Sequence, residues 1–149
     1  MKPLALLTLL SLGSAFAASC PPTFGSYPTA AWNPGTAPPI LDTPDKRLFR
    51  TMVRMGARSG DPFGDRYRLA TWGCGTACSQ GVLVDTRTGQ VTPAPDLILG
   101  HAVKAGSRLL VVSPLDPGET VAQRRQMAVN VLPTYYVFQD RHFVQICDH

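Results

Sequence analysis

Four cysteines, Cys20, Cys74, Cys78 and Cys147, constrain this 149-residue chain more than any other feature. Cys74 and Cys78 enclose three residues within TWGCGTACSQG, while Cys20 and Cys147 lie towards the two ends. Four cysteines allow three pairings, and joining the sequence neighbours Cys74 and Cys78 leaves Cys20 for Cys147. Closing that long loop restricts the unfolded chain by about 5 kcal/mol, against about 2 kcal/mol for the small ring. The terminal bond is then the staple, and the small ring shapes a connection between strands. Gly73 and Gly75 permit dihedrals there that a side chain forbids.

Disulfides need an oxidising compartment, and the N-terminus reads as an export signal. Lys2 starts it, Leu4 to Leu12 form an apolar run, and Ala15-Phe16-Ala17 fits a small-x-small cleavage site. The expectation is a signal peptide over 1–17, cleaved near Ala17 to give a periplasmic or secreted protein. Lipid anchoring at Cys20 is the minor alternative, because Ala17 stands where lipoprotein signals carry leucine. The apolar run is too short to span a bilayer, and no transmembrane segment is expected later. Of 14 basic residues, cleavage removes Lys2, which leaves 13 against 10 acidic residues, a net charge of +3. That mild excess does not argue for nucleic acid.

Residues 18–43 are expected to form a proline-rich extended arm lying over a single domain at 44–149. Prolines 21, 22, 28, 34, 38 and 39 remove backbone donors, and Phe24, Tyr27 and Trp32 need somewhere to pack. An amphipathic helix follows, with Thr43 as N-cap, Pro44 at the first helical position, and Ser59-Gly60-Asp61-Pro62 as the stop. Helical spacing puts Leu48, Phe49, Met52, Val53 and Met55 on one face and Arg47, Arg50, Arg54 and Arg58 on the other.

Beyond residue 65 the pattern is β. RYRLATW alternates, with Tyr67, Leu69 and Thr71 on one face and Arg68, Ala70 and Trp72 on the other. GVLVDTRTGQVT reads as a hairpin turning at Gly89, SRLLVVSP as a central strand, and TYYVFQDRHFVQI as a second hairpin around Gln139-Asp140-Arg141. A helix is also expected around Val121 to Val129. The sum is an α+β, mainly β domain: one helix packed on an antiparallel sheet of about six strands, stapled by disulfides.

The Cys74/Cys78 pair has three chemical readings. A structural clip is favoured, because the spacing is not the C-x-x-C of thiol oxidoreductases and no nearby cation depresses a thiol pKa. A thiol-disulfide redox couple is the second reading. A metal site is the third, yet His101, His142 and His149 show no paired ligand spacing, so no metal or other cofactor is expected.

The core from Phe63 to Val91 carries a likeness. Phe63, Tyr67, Leu69, Thr71, Trp72, Gly73, Cys74, Gly75, Thr76 and Cys78 follow the pattern NFAGHYxLxTWGCGTxC. The chain thus resembles small exported bacterial proteins of unestablished function that share this signature. It departs in Pro62 for the asparagine, Gly64-Asp65 for the alanine-glycine pair and Arg66 for the histidine. The resemblance implies the same fold and export, and no reaction, ligand or partner.

Without G-x-S-x-G, H-E-x-x-H, P-loop or paired carboxylates, the sequence favours a non-enzymatic binding or interaction module of the cell envelope. The candidate binding residues are Trp72, Thr76, Arg47, Arg50 and Arg54, and the partner expected is an acidic envelope protein or polymer. The alternatives are a redox enzyme using Cys74 and Cys78, an enzyme built from Asp61, Asp65 and His101, or a structural envelope protein.

Overall fold

The computed structural model describes residues 19–148. The expected signal peptide at 1–17 and the C-terminal His149 lie outside the described residues.

The helix begins as the sequence dictates. The Thr43 hydroxyl accepts from the Lys46 amide at 3.3 Å, and Pro44 opens α1 (Pro44–Leu48). The backbone then breaks at Phe49 (φ −97°, ψ 20°) before α2 (Arg50–Ser59), so one expected helix is two short ones. The break and two glycines turn the packed face away from the expected one. Val53 is buried at 1% exposure, whereas Leu48 is 72% and Met55 58% exposed, and Met52 is exposed too. Small residues decide this, because Gly56 and Gly60 let the helix backbone come close to Leu69 and Ala70 as no larger side chain would.

The single sheet of about six strands is corrected to two four-stranded antiparallel sheets. The first comprises β1 (Asp61–Phe63), β2 (Tyr67–Gly75), β3 (Cys78–Asp85) and β4 (Val91–Pro93), in that order. The second comprises β5 (His101–Ala102), β6 (Leu109–Val112), β7 (Thr134–Gln139) and β8 (His142–Asp148). Strand β2 shows why one sheet does not suffice. Its alternation puts Leu69 on one face and Ala70 and Trp72 on the other, so both faces are apolar and each needs a cover. The helix covers the Ala70 face. The second sheet covers the Leu69 face, where Phe63, Leu69, Leu83 and Leu97 pack with Leu110, Val112 and Phe138. The sheets also meet through a parallel bridge between Gly64 and Ala105.

The proline-rich segment straps both sheets. Phe24 and Tyr27 pack with Leu109, Val111, Tyr135 and Val137, the second core cluster. Further along, the amides of Asn33, Ala37 and Ile40 donate to the carbonyls of Asp65 (2.6 Å), Thr86 (2.8 Å) and Gly89 (2.8 Å). Gly89 has φ +78°, and a Cβ there would fall 2.2 Å from the Pro38 carbonyl oxygen, so the strap needs this glycine. Disulfides join Cys20 to Cys147 and Cys74 to Cys78. Of the helix expected between 121 and 129 only α3 (Val121–Arg125) forms, capped by the Thr120 hydroxyl.

Candidate functional site

The strap and α2 do not close against each other. Between them runs a groove of about 640 Å³, walled by Pro34–Pro39 on one side and by Arg54, Ala57, Arg58 and Arg68 on the other. Arg54 and Arg58 stand one helical turn apart and reach the same side. Arg68 comes from β2, on the face that carries Ala70 and Trp72. Its guanidinium donates to the Gly60 carbonyl at 2.7 Å and lies 5.3 Å from the centre of the Trp32 ring. Among the described residues Arg54 and Arg58 have no ion pair or side-chain hydrogen bond, and no carboxylate lines the groove. Three guanidiniums share one concave surface with nothing to neutralise them.

The expected arginine stripe is therefore divided. Arg47 turns back to the carbonyls of Leu41 (3.4 Å) and Asp42 (3.1 Å), and Arg50 donates to the Arg47 carbonyl at 3.2 Å. These two finish the backbone at the helix start, while Arg54 faces the groove. Arg68 lies outside the expected arginine stripe, although the period-two alternation of β2 places it on the helix side; what the pattern lacks is the strap that makes this side concave.

Trp72 stacks on Phe49 with ring centroids 4.9 Å apart, and Val53, Val84 and Val91 complete that cluster. Its Nε1 is buried without a hydrogen-bond partner, the one such side-chain atom among the described residues. Thr76 lies apart from this, at the exposed tip of the β2–β3 hairpin beside Ala77, whose φ is +56°. Cys74 is exposed and Cys78 half-buried at the same tip, with Cα atoms 5.2 Å apart. The candidate residues thus fall at three places: the groove, the aromatic stack and the hairpin tip.

Of Asp61, Asp65 and His101, the fold unites two. His101 Nε2 lies 2.8 Å from Asp61 Oδ2, linking β5 to β1. Asp65 instead faces Arg66 (3.4 Å) and Arg87 (3.7 Å). Arg66 donates to Asp85 at 3.0 Å. Burial pushes the Asp85 carboxyl up, but the Arg87 amide and the Arg66 guanidinium outweigh it and hold the group below its ordinary range. Burial also raises the neighbouring Tyr67 hydroxyl, against the pull of Arg66. Among the described residues no group of three or more His, Cys, Asp or Glu side chains could hold a metal ion, and no helix is long and apolar enough to cross a membrane.

No family model, curated protein or solved structure matches this chain.

Proposed function

We propose that this chain is an exported binding module of the cell envelope that holds an acidic partner in the groove between the proline strap and α2. The supporting observation is the convergence of Arg54, Arg58 and Arg68 on one concave surface that no carboxylate lines. A guanidinium stays charged at every physiological pH and offers a fork of donors matched to carboxylate or phosphate oxygens. It holds anions and does not shuttle protons, so this surface suits recognition and not acid-base catalysis. The prolines stiffen the opposite wall, which lowers the ordering cost of binding.

Isothermal titration with poly-glutamate at low and physiological salt tests the reading. The chain is expected to bind with an affinity that falls as salt rises. Replacing Arg54, Arg58 and Arg68 by glutamine is expected to weaken binding at least tenfold. Unchanged affinity in that variant overturns the proposal.

A second reading, a thiol-disulfide couple, draws on the exposure of Cys74 at the hairpin tip. A reduction potential near about −200 mV for that bond supports exchange chemistry, and one below about −300 mV marks a structural bond.

A further inference from the structure

We infer that a second groove, between α1 and the exposed end of the β3–β4 face, is a binding site for an organic cation with an apolar body. It is independent of the arginine groove and differs from it in every chemical respect. Its volume is about 510 Å³, within the range of small-molecule sites. Phe49, Val53, Trp72, Val82 and Val91 supply the floor, and the stacked Phe49 and Trp72 rings make it largely aromatic. Phe49 stands at the break between α1 and α2 (φ −97°, ψ 20°), and its ring lies stacked on Trp72 at the groove.

Charge selects the ligand. Asp45 and Asp96 both line the groove, both are exposed, and neither has a side-chain hydrogen bond or ion pair among the described residues. The lining also holds one cation, Lys46, whose ammonium is already committed to Asp42 at 2.6 Å. The Lys46 hydrogen bond holds the Asp42 carboxyl below its ordinary range, so that pair stays neutral as a unit. Two carboxylates are left to face an aromatic floor. A cation satisfies both at once, through the negative faces of the rings and through the carboxylates. An anion is repelled, and a neutral apolar molecule gains the floor but nothing from the rim. The buried Trp72 Nε1 makes no hydrogen bond to the ligand, but its proton sits on the ring that forms the floor and therefore reports a cation placed against that ring.

The test uses the exported, processed protein labelled with 15N. Its two tryptophans, Trp32 and Trp72, give two indole N–H signals, assigned with Trp32→Phe. Three probes share a benzene ring and differ in charge: benzyltrimethylammonium, benzyl alcohol and benzoate. Benzyltrimethylammonium is expected to move the Trp72 signal saturably while leaving Trp32 in place. Benzyl alcohol is expected to bind at least tenfold more weakly, and benzoate not at all. The double variant Asp45→Asn with Asp96→Asn alters only exposed side chains, and an unchanged amide fingerprint in the same spectra checks that it keeps the fold. It is expected to weaken the cation at least fivefold and leave benzyl alcohol unchanged. Equal binding of the three probes, no shift of the Trp72 signal, or a cation affinity indifferent to both aspartates overturns the inference.

Discussion

Gly56 on α2 lies so close to Ala70 on β2 that a Cβ at position 56 would fall 1.9 Å from the Ala70 Cβ. This contact fixes how closely the helix approaches the first sheet.

Gly56→Ala tests that contact. On helix propensity alone alanine gains up to about 1 kcal/mol. The overlap with a strand residue forces helix and sheet apart, and overpacking of this kind costs about 3 kcal/mol. The variant is therefore expected to be less stable by about 2 kcal/mol, the difference of the two. Urea unfolding checks the sign, since a more stable variant would show that the helix slides without cost.

The two disulfides are expected to differ in their contribution to stability. Cys20 and Cys147 are 127 residues apart in sequence, and Cys74 and Cys78 only 4. Replacing the first pair by serine is expected to cost about 5 kcal/mol and the second about 2 kcal/mol, on the loop-closure account. Thermal melts of the two double variants give the order, and equal losses would refute it.

Asp85 gives the protein an acid limb. Its carboxyl accepts from the Arg66 guanidinium (3.0 Å) and from the Arg87 (2.9 Å) and Thr88 (3.2 Å) amides. A depressed folded-state pKa stabilises above the unfolded value, about 3.9, and that stability disappears as pH falls through the folded value. Asp85→Asn is expected to destabilise by about 2 kcal/mol at neutral pH, the scale of hydrogen bonds to a charged group. The variant should also lose less stability than the parent between pH 5 and pH 3, as read by denaturant midpoints across about that range.

Arg124 organises the long β6–β7 connection. Its guanidinium donates to both Glu119 oxygens at 2.6 Å and to the carbonyls of Val131 (3.2 Å) and Pro114 (3.1 Å). Arg124→Lys keeps the charge but lacks the fork that spans these partners. Limited proteolysis is expected to cut between residues 114 and 131 faster in Arg124→Ala and in Arg124→Lys alike. Full protection in the lysine variant would reduce the contact to simple charge pairing.

Much of the local structure is legible along the chain. Thr43 and Pro44 announce the helix start because caps act over a few residues. The alternation through Tyr67–Trp72 gives β2 its two faces because side chains in a strand point in turn to either side. The hairpin turn at Gly89 follows from the same short-range chemistry.

Other features depend on partners distant in sequence. Leu48, Met52 and Met55 belong to an apolar helical stripe, yet they face solvent because Gly56 and Gly60 admit the sheet on another side. Arg68 becomes part of a groove once residues 34–39 fold over it, and Asp61 meets His101 across forty residues of chain. Periodicity reports which residues share a face. It does not report which face finds a cover, since that depends on the closest approach of backbones and on surfaces supplied from elsewhere. The sequence by itself determined the caps, the strand faces and the chemistry of the side chains available. Only the tertiary structure decided that there are two sheets, which apolar residues are buried, and which charges meet in one groove, because those outcomes rest on long-range packing.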